Sequence, residues 1–273
     1  MLNAPGPFVA IKIKYILVLL LGTSLIVMGG LFLFFKPQNT LPVQQQESKP
    51  LAGQKIVIDP GHGGVDSGVH YQEAVLEKQI NLELALSLRE ALEHLGAEVL
   101  LTREDDRDTS QLVPGSPDTR YKRDMQGRVK YINESEASFF LSLHVNSCEV
   151  ATVRGPIVFY CDRFQENIYL AESVQKNLNK VAPGGPEIGG YIHRKIKEGD
   201  FYLLKETIVP GVIVETGFLT NPEERALLTD SSYINRLAGA ISQGVIEYGQ
   251  LLPIIADSQQ KQEVITLYGL YYE

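Results

Sequence analysis

From Lys55 onward, short unbroken apolar runs alternate with longer stretches in which apolar residues return at helical spacing. The run KIVID (55–59) predicts a buried strand, and Leu76, Ile80, Leu84, Leu88 and Leu92 predict one face of a helix. That helix should end at His94, Leu95 and Gly96, because glycine supplies the left-handed residue beyond a last turn. AEVLLT (97–102) is apolar again and completes a β-α-β unit. Between Arg103 and Gly127 the chain is charged and rich in Asp, Ser, Pro and Arg, which predicts a long exposed loop leading into a helix through Arg128 and Ile132. Loops of that length are often functional. SFFLSLHV (138–145) and PIVFYC (156–161) read as further buried strands, and Gln165 to Val181 as an amphipathic helix. PGGPEIGGY (183–191) is turn-rich, and GVIVE (211–215) is the next buried strand. Asn221, Pro222, Glu223 and Glu224 have the cap, first-turn proline and acidic first turn of a helix start. A last helix should run from about Ser232 to Tyr248.

Strands separated by helical patterns predict an α/β fold with a mostly parallel, twisted, doubly wound sheet and helices on both faces. In such sheets ligands bind outside the carboxyl ends of the strands. His62 in IVIDPGHGG, His144 in FFLSLHVNS and Glu215 in GVIVETGFLTNPEE each follow an apolar run, so this topology brings three distant positions to one rim. The sequence has no internal repeat and no appended binding module.

Upstream of this pattern, Tyr15 to Phe35 is apolar and uncharged, long enough at about 1.5 Å per residue to cross a hydrocarbon core of about 30 Å. Lys12 and Lys14 precede it, so the positive-inside bias puts the N-terminus in the cytoplasm and the rest outside, although Lys36 weakens the asymmetry. The expected organisation is a cytoplasmic N-terminus (1–14), a transmembrane signal anchor (15–35), a polar linker (36–53), a folded domain (54–250) and a tail (251–273). The tail's apolar tip, LYGLYY, suits docking on the domain or on a partner. Cleavage would instead release the domain, but the apolar run exceeds that of a signal peptide and no A-x-A-like site follows. A net charge of −8 without clustered Lys and Arg argues against a nucleic-acid partner. Cys148 and Cys161 are the only cysteines. An oxidising exterior permits a bridge between them, but free, partly buried thiols are the expectation because disulfide geometry is demanding.

A zinc ion that activates water needs three protein ligands of the N or O type, an open fourth position and a nearby base. His62, Glu77, His144 and Glu215 supply that count. His62 lies among Gly61, Gly63 and Gly64 in a tight turn, and the spacing and lysine of a phosphate-cradling loop are absent. His144 at a strand end is, taken alone, more often a hydrogen-bonded structural group; its pairing with His62 favours metal ligation. Asn146 and Ser147 follow it, and Asn146 is a candidate substrate contact. Glu77 opens the first helix, where a carboxylate also gains about 0.3–1 kcal/mol from the helix dipole. His70 and Glu73 are close enough in sequence to compete with it as third ligand. Glu215 leaves an apolar strand for the crevice, where desolvation raises a carboxyl pKa toward that of a proton shuttle. A salt bridge to Arg128 or Arg103 is its alternative role. His94, at a helix end, and His193, beside Arg194, Lys195 and Lys197, are weaker candidates. That basic stretch is either a solvated face or a contact for an anionic polymer.

The four motifs, in this order, resemble the zinc-dependent N-acetylmuramoyl-L-alanine amidases of the amidase type 3 family, from about Gln54 to Gly249. EKQINL (77–82) stands in the family's Glu-Lys-x-hydrophobic-Asn-Leu place, so the resemblance implies that His62, Glu77 and His144 are the zinc ligands and Glu215 the catalytic glutamate. It also implies a phosphorylase/hydrolase-like sheet, and peptidoglycan glycan strands with stem peptides as substrate, cut between N-acetylmuramic acid and L-alanine. The anchor, the single domain, RVKYINES and GDFYLLKETIVPGVIVETGFLTNPEE look like the sporulation or germination-specific branch, which acts on spore cortex. That branch implies muramic lactam formation after stem removal and a co-acting polysaccharide deacetylase. Some members carry a helical insertion that blocks zinc; here one strand, one helix and a loop should fill the interval from His144 to Glu215, which predicts no such plug. A vegetative autolysin of the same family, a zinc carboxypeptidase and an inactive wall-binding protein are the competing functions.

Overall fold

The computed structural model describes residues 49–72, 74–182 and 194–256, with Tyr15 and Val18. Strand β1 (Lys55–Pro60) is followed by a small hairpin of β2 (His70–Tyr71) and β3 (Val75–Leu76), and by helix α1 (Glu77–His94). Then come β4 (Glu98–Leu101), a 3-10 turn (Ser110–Leu112), α2 (Arg120–Glu134), β5 (Phe139–Asn146), β6 (Ile157–Tyr160) and α3 (Gln165–Val181). The chain closes with β7 (Lys197–Glu198), α4 (Tyr202–Glu206), β8 (Gly211–Phe218), α5 (Pro222–Leu228) and α6 (Ser231–Ala256).

The main sheet has the order β4-β1-β5-β8-β6-β7. β1 pairs in parallel with β4 and β5, and β5 with β8; β6 runs antiparallel to β8. The sheet is therefore mixed, mostly parallel and antiparallel at one junction. The chain leaves β1 for β4 on one side and then returns to place β5 on the other. The order of strands thus reverses between β1 and β5, which opens a crevice at their carboxyl ends.

Alternate side chains along each strand point to opposite faces. Ile56, Ile58, Leu141, Leu143, Val212 and Val214 join one core cluster with Leu84 and Leu88 of α1, Leu170 and Val174 of α3, and Leu237 and Ile241 of α6. Val57, Phe140 and Ile213, of the opposite parity, join a smaller cluster with Ile132 of α2 and Leu203 and Leu204 of α4. Helices therefore cover both faces.

Local signals explain several boundaries. Gly96 takes φ +97°, and the N–H groups of Gly96 and Ala97 donate to the carbonyls of Glu93 and Leu92, satisfying the end of α1. The Asn221 side chain accepts from the N–H groups of Glu223 and Glu224 at the start of α5. Other expectations need correction. Leu51, read as linker, is buried in the larger core cluster. The stretch after Arg103 is not a plain exposed loop: Arg103, Asp108 and Thr109 are buried, because their polar groups bond to protein rather than water. Helix α2 begins at Arg120, capped by Thr119. Helix α6 continues past Tyr248. Both cysteines are free thiols, Cys161 buried.

Most of the apolar run 15–35, most of the linker, Glu73, PGGPEIGGY, His193 and the tail beyond residue 256 lie outside the described residues. Among the described residues no helix is long and apolar enough to cross a membrane.

Candidate metal centre

The crevice between β1 and β5 collects the predicted side chains. His62 follows β1 in a turn and takes φ +62°, an uncommon conformation for a residue with a Cβ. A Cβ at the neighbouring Gly61 would run into the His144 imidazole, and one at Gly68 would meet Glu77 and His62. Glycine is needed at both positions because the side chains of His144, Glu77 and His62 fill that space.

Glu77 is the first residue of α1 and its side chain is 2% exposed. Its Oε1 lies 2.9 Å from His144 Nδ1 and 3.1 Å from His62 Nε2, and accepts from Val145 N–H at 3.0 Å. Its Oε2 accepts from Val69 N–H at 2.8 Å. The rings of His62 and His144 meet edge to face, with centroids 4.9 Å apart. One donor atom from each of His62, Glu77 and His144 lies within 4.8 Å of the others, so this group can hold a metal ion. His62 Nδ1 is 2.8 Å from Asp66 Oδ2, an outer carboxylate of the kind that fixes the tautomer of a ligand histidine.

His144 and Glu215 lie within their strands rather than just past them, since β5 extends to Asn146 and β8 to Phe218. They are direct partners in the parallel register of β5 and β8. The side-chain period of two puts Asp59, Ser142, His144 and Glu215 on the same face as Val57, Phe140 and Ile213. The alternation Ser142, His144, Asn146 within an apolar strand was a legible sign of that face.

Electrostatics separates the two glutamates. Burial by itself would raise Glu77, but the hydrogen bonds and charges of His144 and His62 hold its carboxyl far below the usual range. Burial would lower His62, yet Glu77 and Asp66 raise it to about 9. Glu215 is raised to about 7, chiefly by burial, and its Oε2 has no hydrogen-bond partner. The alternative of an ion pair fails on geometry: Arg128 bonds Asp59 and Asp124, and Arg103 bonds main-chain carbonyls.

Two cavities meet at these residues. One, of about 660 Å³, runs from His62, His144 and Glu215 toward Met125, Phe201, Leu203 and Ile213, with Tyr121 and Tyr202 beside it. The other, of about 620 Å³, is more open and is lined by Val69, His70, Asn146 and Ser147. Asn146 therefore reaches the crevice, although its Oδ1 accepts from Ser147 N–H. His70 lines the open side but is not in the ligand group. His94 is exposed near Glu90, away from the crevice. The interval from His144 to Glu215 holds more than one strand, one helix and a loop: β7 and α4 are added, and α4 supplies Tyr202 and Leu203 to the larger cavity. Sequence reasoning passed over Asp59, Asp66, Tyr121 and Tyr202; of these only Asp66, four residues beyond His62 in the same turn, carried a positional hint.

Known proteins resemble this chain in sequence and fold. Residues 56–247 match the family model described as N-acetylmuramoyl-L-alanine amidase. The chain is 35% identical over 201 residues to the germination-specific N-acetylmuramoyl-L-alanine amidase of Bacillus subtilis, covering 74% of this chain and 82% of the relative. It is 31% identical to the N-acetylmuramoyl-L-alanine amidase LytC of Bacillus subtilis, over 78% of this chain and 39% of that one. The structure resembles the CwlD amidase from Clostridioides difficile, solved in complex with the GerS lipoprotein, with a TM-score of 0.66, 34% identity and coverage of 72% of this chain and 99% of that chain. With the family model spanning most of its length and the His62–Glu77–His144 group at the rim of the sheet, the chain belongs to the N-acetylmuramoyl-L-alanine amidase family.

Proposed function

We propose that the protein hydrolyses the amide bond between N-acetylmuramic acid and L-alanine of peptidoglycan, with His62, Glu77 and His144 holding zinc and Glu215 moving the proton. The observation that carries this reading is a buried carboxylate with an unpartnered oxygen, Glu215 Oε2, beside two imidazoles and a carboxylate that can bind one ion. The donor set of two nitrogens and one oxygen suits zinc with a position left for water. When bound, zinc supplies a Lewis acid that polarises the scissile carbonyl and makes water more acidic.

Glu215 Oε2 accepts a proton as the water oxygen bonds to the lactyl carbonyl carbon. The same carboxyl then donates that proton to the amide nitrogen as the carbon–nitrogen bond breaks. The products are a free lactyl carboxylate and a peptide with an N-terminal L-alanine. Burial raises this carboxyl above the ordinary glutamate range, to about 7 before the ion's charge lowers it, and that upward push favours a group that both takes and returns a proton. Asp66 keeps His62 oriented through Nδ1, leaving Nε2 for the ion. Asn146, on the open side, is the proposed polar contact for substrate.

Similarity to a germination-specific relative supports spore cortex as the setting. Because the similar CwlD amidase was solved bound to a lipoprotein, a lipoprotein is the physical partner to seek. The apolar run 15–35 supports attachment to a membrane with the folded part outside the cytoplasm. Mass spectrometry of peptidoglycan digested by the full-length chain, with and without a chelator, tests the reading. New N-terminal alanine peptides that vanish on chelation are expected; shortened C-termini, or turnover indifferent to the chelator, would refute it.

A further inference from the structure

The turn that carries His62 is held by two buried arginines. Arg128 is 2% exposed; its Nη2 donates to His62 O at 2.6 Å, and its Nη1 to Pro60 O at 3.0 Å and Asp59 Oδ1 at 2.6 Å. Arg103 donates from Nε to Pro60 O at 2.9 Å and from Nη2 to Gly61 O at 2.9 Å. Three successive carbonyls, of Pro60, Gly61 and His62, therefore receive hydrogen bonds from guanidinium groups.

The same two side chains reach the surroundings of the other two donors. Arg103 Nη2 also donates to Lys78 O at 2.8 Å, the carbonyl next to Glu77 in the chain. Asp59, which pairs with Arg128, accepts from Ser142 Oγ at 2.7 Å, two residues before His144 on the same strand face. Asp124 takes Arg128 Nε at 3.1 Å, so the buried charge is offset on two sides. Three segments far apart in sequence are thus joined beneath the crevice by one polar network.

A residue with a Cβ in the left-handed region is strained and persists only where its surroundings over-determine it. At His62 the Gly63–Asp66 backbone bridge and the Asp66 carboxylate hold one side of the turn, and on the other the restraint is this pair of guanidinium groups, whose planar array of donors meets several carbonyls at once, as a lysine ammonium cannot in the same geometry. We propose that Arg103 and Arg128 are positioning residues that hold the His62 turn, and through it the His62–Glu77–His144 group, in metal-binding geometry. Neither is a catalytic residue. This rests on the metal reading of that group, and its signature is metal affinity rather than turnover.

The test uses the full-length chain with Arg103→Lys, Arg128→Lys and, as a control, Ile132→Ala. Ile132 is buried on the same helix as Arg128 and belongs to the apolar cluster. Zinc dissociation constants are measured by competition with a chromophoric chelator, and melting of the metal-free proteins is recorded alongside. Each arginine variant should bind zinc about 10- to 100-fold more weakly. Ile132→Ala should lower the melting temperature and leave zinc affinity unchanged, and saturating zinc should return the turnover number of the arginine variants toward wild type. Should Arg128→Lys not fold, Arg103→Lys decides, because it leaves the Asp59–Arg128–Asp124 chain in place. Zinc affinity equal to wild type in the folded arginine variants, or an equal loss in Ile132→Ala, overturns the proposal. A wild-type chain that binds no zinc removes the metal reading and this inference with it. One that binds zinc but leaves peptidoglycan intact sinks only the amidase reading.

Discussion

The two faces of the sheet are built on different physics. Under α1, α3 and α6, the strands present Ile56, Ile58, Leu141, Leu143, Val212 and Val214 to a continuous apolar core. Under α2 and α4, the opposite parity begins apolar, with Val57, Phe140 and Ile213, and turns polar toward the carboxyl ends, with Asp59, Ser142, His144 and Glu215. Here the layer holds a buried Arg–Asp network and a large cavity instead of closing tightly. The first face stabilises without chemistry. The second keeps charged groups out of water, where burial shifts their pKa values and leaves Glu215 Oε2 without a hydrogen-bond partner.

Substitutions can break this contrast, and the largest effect is expected at Glu215. Glu215→Gln keeps the shape and removes the proton acceptor, so kcat/KM on muropeptides should fall by about 10²- to 10⁴-fold. Zinc affinity should be retained; unchanged turnover would return Glu215 to a structural role. On the other face, Leu84→Ala removes a fully buried side chain and should cost about 2–5 kcal/mol in urea unfolding. Its turnover number per folded molecule should stay near wild type, and a large loss would show that the faces are coupled. Asn221→Ala removes two accepted hydrogen bonds at the start of α5 and should cost about 1 kcal/mol by the same measurement.

The pH profile sharpens the comparison. Glu215 must be ionised to accept a proton, so kcat/KM should rise with pH on the acidic side. The limb lies at or below about 7, because a bound cation lowers the carboxyl from that value. Glu215→Gln should abolish the limb. Stability follows another group: Asp59 is buried, which would raise its pKa, but Arg128, Thr102 and Ser142 hold it below the ordinary value. The stability it contributes is present above an unfolded pKa of 3.8 and is lost as pH falls below it toward the depressed folded value. Acid unfolding of Asp59→Asn should lack that component.

Much of the fold was legible because it is local. Helix α3 has the bounds its spacing predicts, and Gly96 and Asn221 mark a helix end and a helix start by backbone hydrogen bonding that each sequence neighbourhood can satisfy alone. His62, His144 and Glu215 were legible as candidates because each ends or follows an apolar run, whereas residue type and spacing left Glu77 level with His70 and Glu73, and only the family resemblance singled it out. The segment after Arg103 was misread because its polar composition looks the same whether its groups face water or bond to Asp124 and the main chain of the His62 turn. Leu51 was misread because a single apolar residue in a polar stretch carries no period.

By itself, then, the sequence determined the alternation of strands and helices, a set of candidate metal-binding side chains with its third member open, and a carboxylate at the edge of an apolar strand. Only the tertiary structure decided that His144 pairs with Glu215 across β5 and β8. It alone decided that Glu77 lies between two imidazoles and that two arginines converge on the carbonyls of Pro60, Gly61 and His62. Register between strands far apart in the chain depends on the whole sheet, and a backbone carbonyl is the same acceptor in every residue, so neither leaves a mark in the local pattern.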